Sequence, residues 1–193
     1  MGKLIGAINM TLDGFCDHTA VTPGEDIHQH YADLLKNADT ILYGRITYQL
    51  MEYWRTVVKN PTGNKAMDEF AVVMDNIPKI VFSHTLKNTD PIGIGWDSAK
   101  LANRSLEEEV VALRQQPDKN ILVGSRSLII QLLKLNLIDE FQLCVHPVIA
   151  GNGLPLFENI NDRAIFKLSK TKTFNSGAII LYYEPETGQT TNH

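Results

Sequence analysis

The sequence predicts an α/β protein: a three-layer α/β/α sandwich whose mixed, mostly parallel sheet ends in a carboxyl-terminal antiparallel hairpin. Three observations predict it. Short apolar runs alternate with stretches of helical period through most of the chain, the pattern of strand–helix–strand units. The apolar runs 166–174 and 178–183 then follow each other with Asn175-Ser176-Gly177 between them, a hairpin-like turn. The 193 residues suit one domain, spanning 1–186, with a polar tail at 187–193.

Residues 3–9 form a short apolar strand ended by polar side chains. Residues 26–37 are helical, with Ile27, Tyr31, Leu34 and Leu35 on one face. A second strand, 40–43, stops at Gly44. Residues 47–55 make a helix with Tyr48, Met51 and Trp54 inward, and 65–74 another with Met67, Phe70, Ala71 and Met74. Pro78 punctuates before the strand 80–82. Ser105-Leu106-Glu107-Glu108 is a capping box, because serine hydroxyl and glutamate satisfy each other's orphan amides. That helix ends near Gln116, before Pro117. The strand 121–123 leads through Gly124-Ser125 into a helix with Leu128, Leu132 and Leu135 on its core face. Strand 141–145 then opens a run of strands without helices between them.

Composition excludes several classes. Hydrophobic residues at 44% and charged residues at 21% are ordinary for a soluble globular protein. A net charge of -4 argues against a general nucleic-acid binder. Cys16 and Cys144 lie far apart with no CxxC spacing, so reduced thiols and a cytoplasmic setting are expected. The run around Leu4-Ile5 is too short for a signal peptide or a membrane span. His28 and His30 are two apart on a helix and face different ways, so no metal site is expected. Gly93-Ile94-Gly95 lacks the third glycine and the helix of a dinucleotide fingerprint.

In open α/β sheets a ligand sits outside the carboxyl ends of the strands. Three such ends carry anion-binding chemistry. Gly44-Arg45-Ile46-Thr47 offers close backbone approach, a permanent cation and a hydroxyl. Ser83-His84-Thr85 clusters hydroxyls and an imidazole after an apolar strand. Gly124-Ser125-Arg126-Ser127 joins a strand to a helix amino terminus, whose free amides attract anions.

The segment Leu137-Ile138-Asp139-Glu140-Phe141, followed by Pro147-Val148-Ile149-Ala150-Gly151-Asn152-Gly153-Leu154-Pro155-Leu156-Phe157, reads as a helix end, a buried strand and a glycine-rich loop closed by an apolar anchor. It closely resembles a signature of the dihydrofolate-reductase-like superfamily, in the branch containing the reductase domain of riboflavin biosynthesis. Thr11-Leu12-Asp13-Gly14-Phe15 is similar to that family's first-strand motif, and Gly44-Arg45-Ile46-Thr47-Tyr48 resembles its cofactor-binding turn. Ser83-His84-Thr85 stands where the family contacts the cofactor's 2′-phosphate end, and Gly124-Ser125 matches a turn that is usually Gly-Gly. The resemblance spans residues 3–184. It implies NADPH as cofactor, with the nicotinamide near the first strand beside Asn9, a homodimer, and reduction of a small heteroaromatic or carbonyl-like substrate. Two alternatives stay open: the 5-amino-6-(5-phosphoribosylamino)uracil reductase of riboflavin biosynthesis, and a non-catalytic nucleotide-binding protein of the same fold. Folate reduction has less support, because the Pro-Trp motif ahead of the acidic residue is missing.

Asp26 and Asp13 are the candidate proton donors, with ordered water as a third source. The plainer readings are that Asp13 caps a turn and Asp26 a helix. Asp26 serves as an acid near neutral pH only where neighbours such as Phe15 and Trp54 shield it. His146 is expected to pack or cap, Asp139-Glu140 to start a strand at the surface, and Tyr53-Trp54 to face the core. The strand 141–145 and the hairpin carry more β-branched and aromatic residues than one sheet face needs, which points to a homodimer.

Overall fold

The computed structural model describes residues 2–86, 95–116, 119–158, 160 and 163–186. The tail 187–193, Gly93, Ile94 and Pro117 lie outside the described residues. One sheet organises the chain. Its strands are β1 (Leu4–Thr11), β2 (Thr40–Gly44), β3 (Lys79–Phe82), β4 (Ala99–Leu101), β5 (Ile121–Val123), β6 (Glu140–His146), β7 (Phe166–Thr173) and β8 (Ile179–Pro185). They lie in the order β4-β3-β2-β5-β1-β6-β8-β7. Neighbours from β4 to β6 pair in parallel, and β8 runs antiparallel to both β6 and β7. The mixed sheet with a carboxyl-terminal antiparallel hairpin is the one the sequence predicts.

Helices cover both faces, which is why the central strands read as continuous apolar runs rather than as alternation. Successive residues enter different cores. Ile5, Ile41, Tyr43, Val81 and Leu122 pack with α1 (Glu25–Lys36), α2 (Arg45–Met51) and α4 (Lys65–Asn76). Leu4, Leu42, Ile80, Ile121 and Val123 pack with α5 (Leu106–Arg114) and α6 (Arg126–Lys134). The capping box forms at α5: Ser105 Oγ accepts from Glu108 N, and the Glu108 carboxylate accepts from Ser105 N at 3.0 Å.

Several elements differ from the sequence expectation. The helix expected over 47–55 is two, α2 and α3 (Tyr53–Lys59), which break at Glu52. The break leaves Tyr48 buried but Tyr53 54% exposed, so Tyr53 does not face the core. Leu135 is the C-cap of α6 and is 39% exposed; Leu128, Ile129, Ile130 and Leu132 form the buried face instead. Strand β4 was not anticipated, because Ala99-Lys100-Leu101 is too short and too polar to signal a strand.

The amino-terminal edge of the sheet is clamped by charge. Asp139 Oδ2 accepts from Leu4 N at 2.7 Å and from Arg114 at 2.7 Å, and Arg114 also donates to Leu137 O. Asp139 therefore ties α5 and β1 to the start of β6, rather than merely opening a surface strand. Lys79, 1% exposed, donates to Ile77 O at 2.8 Å, Ser98 Oγ at 2.7 Å and Asp75 O at 3.3 Å. Its ammonium lies 4.0 Å from the centre of the Trp96 ring, and burial pushes it down to about 8. Among the described residues no helix is long and apolar enough to cross a membrane.

Candidate functional site

The sheet splits at its carboxyl edge. Strand β5 ends at Val123, opposite Gly6 of β1 and Leu42 of β2. From Ala7 to Thr11, β1 pairs along β6 alone, while β2 continues through Tyr43 and Gly44 beside β3. The result is a notch between β1 and β2. Leu4 to Gly6 are buried, yet Ala7 to Met10 are half-buried, although β1 is a central strand. The chain leaves β1 toward β2 on one side and places β6 on the other, so the notch is the switch point where such sheets bind ligands.

The β5–α6 turn floors the notch. Ser125, 1% exposed, accepts from Gly44 N at 2.9 Å through its hydroxyl. A Cβ on Gly44 would meet Ser127 Oγ at 3.3 Å, and one on Gly124 would meet Tyr43 Cε1 at 3.1 Å. Glycine at both positions keeps the ends of β2 and β5 in contact. Ser125 thus turns its hydroxyl onto β2 and bridges the two strand ends. Arg45 is exposed, and its guanidinium bonds Gln49 at 3.3 Å. Thr47 is half-buried in the same helix. Ser83 Oγ accepts from Thr85 N at 3.1 Å and Leu86 N at 3.0 Å, which folds the turn and leaves His84 and Thr85 exposed. Arg126 differs from Arg45: it donates to Pro155 O at 2.6 Å and to Glu158 at 2.8 Å, so its charge holds a loop.

That loop, 147–158, is the glycine-rich part of the signature, and Asp13 fastens it. The Asp13 carboxylate accepts from the Thr11 hydroxyl at 2.6 Å, Gly151 N at 2.7 Å and Ala150 N at 3.1 Å. The Thr11 bond above all, with the two loop amides, holds Asp13 down to about 2. Asp17 accepts from Leu154 N nearby. Gly153 has φ +142, a conformation L side chains rarely adopt, and a Cβ there would press on the Asp17 carboxylate, so glycine suits this position of the motif.

Asp26 stands apart from these clamps. It lies in the first turn of α1, half-buried, and its carboxylate accepts from Asn175 N at 2.9 Å. It lines an open cleft with Gln29, Lys65, Ala66, Asn175 and Ser176. The shielding expected from Phe15 and Trp54 does not form. Phe15 bridges to Pro155, and Trp54 packs edge-on against Phe70 at 4.6 Å and His28 at 5.5 Å. Burial first, then the negative charge of Asp26, pushes the Cys144 thiol of β6 up to about 12.

Sequence reasoning missed a polar cluster above β1. Asn9 Oδ1 accepts from the Tyr31 hydroxyl at 3.1 Å and stands 3.0 Å from His146 Nε2. Cys144 Sγ is 3.6 Å from the same nitrogen. Burial depresses His146 and favours its neutral ring, and a proton on Nε2 pairs that ring with the Asn9 oxygen it faces. The signal was present: Cys144 and His146 share one face of a strand, and Tyr31 is the polar-tipped member of an apolar helix face. His30 is buried apart from His28; its Nδ1 lies 3.3 Å from Lys172 Nζ, and burial with that ammonium lowers it to about 4. Among the described residues no group of three His, Cys, Asp or Glu is placed to hold a metal ion.

Fold and notch together are those of the dihydrofolate-reductase-like superfamily. The family model of the RibD C-terminal domain matches residues 3–180, and the chain belongs to that family. It is 34% identical over 188 residues to the uncharacterized protein YyaP of Bacillus subtilis (strain 168), covering 94% of each chain. Among solved structures, it resembles a putative riboflavin biosynthesis protein from Shewanella sp. PV-4, with a TM-score of 0.71 and 20% identity. That match covers 95% of this chain and 99% of the other. Acinetobacter baumannii RibD superposes with a TM-score of 0.66 and 14% identity, over 97% of this chain and 59% of that one. These likenesses define the fold.

The Asp13 clamp makes a pH prediction. Its pKa is depressed in the folded chain, so its stabilisation is complete above about 3.8 and is lost as pH falls through about 2. Amide exchange at Ala150 and Gly151 should therefore accelerate across that window. In Asp13→Asn it should be fast already at pH 5; protection in that variant equal to the wild type would remove the clamp.

Proposed function

We propose that this protein is an NADPH-dependent reductase of a small heteroaromatic or carbonyl-like substrate. The observation that carries the reading is the stretch of β1 from Ala7 to Met10, left without β5 and half-buried above a floor of Gly44, Gly124 and Ser125. A flat ring fits such a notch between two strand ends, and unpaired strand backbone is a ready partner for a carboxamide. Asn9 and the free edge of β1 would hold the nicotinamide. Gly44, Thr47, Gly124, Ser125 and Ser127 would border the pyrophosphate. Arg45, with Ser83, His84 and Thr85, would receive the 2′-phosphate. Arg126 would act through the loop it holds. NADPH, when bound, supplies the hydride.

Asp26 is the preferred proton source. Asp13 is held strongly acidic by bonds that a proton would break, and it is poorly suited to giving one up at neutral pH. Asp26 is half-buried at the cleft and accepts one backbone bond.

The dimer reading rests on the outer face of β7 and β8. Leu168 is 46% exposed and Ile179 37% exposed. Leu168 is opposite Tyr183, and Thr171 and Thr173 are opposite Leu181 and Ile179. Lys170 and Lys172 instead stand opposite Tyr182 and Ile180, which pack on the α1 side. One face of the hairpin thus combines Leu168, Ile179 and Leu181 with two threonines and is free of lysine from Leu168 onward, a surface suited to a second copy of the chain.

Three outcomes check these readings. Arg45→Ala should weaken NADPH binding by about 1.5–3 kcal/mol and leave NADH binding unchanged, measured by fluorescence titration. Equal losses for both cofactors would take the 2′-phosphate away from Arg45. Asp26→Asn should keep NADPH affinity and lower turnover by about 10²-fold, in an assay of NADPH oxidation over quinones, pterins and pyrimidinones. A full-rate variant would assign the proton to water. Sedimentation at micromolar concentration should give a dimer; a monomer would refute the hairpin interface.

A further inference from the structure

We propose that Tyr31 and His146 are positioning residues that lock the Asn9 amide with its NH2 turned into the notch, making Asn9 a specificity-determining donor to a neutral carbonyl oxygen of the ligand. The inference rests on the reductase reading and says which group of the bound molecule this corner of the notch selects.

An amide oxygen has two lone pairs, and an amide nitrogen carries two donors. Asn9 Oδ1 receives the Tyr31 hydroxyl at 3.1 Å and lies 3.0 Å from His146 Nε2; in the Nε2-protonated tautomer that nitrogen donates to it and both lone pairs are taken. With the His146 proton on Nε2, a flip of the amide would set its NH2 against that donor and lose the bond. Asn9 Nδ2 has no hydrogen-bond partner among the described residues, and Asn9 is half-buried where β1 has lost β5. The Asn9 side chain is therefore a donor with no acceptor of its own to offer. The partners are themselves fixed. His146, 4% exposed, ends β6, and Tyr31 sits on α1 between the two cores it borders. The complement of a neutral donor at a half-buried edge is a neutral acceptor, and a carbonyl oxygen on a ring is the acceptor a reducible heterocycle, a quinone and a nicotinamide share.

The test uses the full chain labelled with nitrogen-15, with the Asn9 side-chain signals assigned by their absence in Asn9→Asp. NADPH should shift these signals when the carbonyl belongs to the cofactor. 1,4-Benzoquinone added with NADP+ should shift them when it belongs to the substrate. 2′-Phospho-ADP-ribose, which lacks the nicotinamide, should leave them in place. Tyr31→Phe and His146→Gln should each weaken the shifting ligand by about fivefold while 2′-phospho-ADP-ribose binds as before. Signals unmoved by either carbonyl ligand would overturn the proposal, as would equal losses for all ligands in the two variants, which mark a structural role. Failure of the reductase reading is seen separately, as the absence of NADPH and 2′-phospho-ADP-ribose binding to the wild type.

Discussion

Strand β5 is three residues long and lies between β1 and β2, two strands that run further in the same direction. Every feature of the candidate site depends on that inequality. Had β5 matched β1, its backbone would pair with Ala7 to Thr11 and the central strand would be sealed. Because β5 turns into α6 at Gly124, its neighbours project past it, and a half-buried gap opens in the middle of a sheet covered on both faces. The gap stays open without collapse because its floor is tight: Ser125 takes the Gly44 amide, and Gly124 lets Tyr43 close over it. Packing at this density does not deform gradually, so the notch keeps a fixed shape in the free protein.

The two ends of the sheet use polar groups in opposite ways. At the amino-terminal edge, Asp139, Arg114 and Lys79 bond backbone carbonyls and amides, and each acts as a clamp. At the carboxyl edge, Asp13, Asp17 and Arg126 clamp the glycine-rich loop, while Arg45, Asp26 and the Asn9 amide keep capacity for another molecule. A charge already paired offers little to a ligand, since removing its partner costs more than the new contact returns. This sorts residues of like chemistry by role: Arg45 from Arg126, and Asp26 from Asp13.

The layered fold was legible because its causes are local. Apolar runs interrupted by caps and glycines mark the central strands and helices, and the capping box at Ser105 forms as written. The misses have equally local reasons. A hydrophobic stripe shows that 47–55 is helical but not that Glu52 breaks it, and three residues around Lys100 are too few to show a period. The site was legible as strand ends, because the topology brings them to one edge whatever their residues. Its inner wiring was not. Asn9, Tyr31 and His146 are 22 and 137 residues apart from one another along the chain in the bonds they make, and only the closure of α1 over β1 and β6 brings them together.

The signature segment shows how one motif serves several ends. Its Asp139 sits at the amino-terminal edge and holds β1 in register; its glycines sit at the opposite edge and receive Asp13 and Asp17. Strand β6 connects the two and carries Cys144 and His146 on the face toward α1. A change in the register of β6 by one residue would turn His146 away from Asn9 and bring an apolar neighbour to its place. The Asp139 clamp therefore fixes, from the far edge of the sheet, which side chain meets Asn9 in the notch.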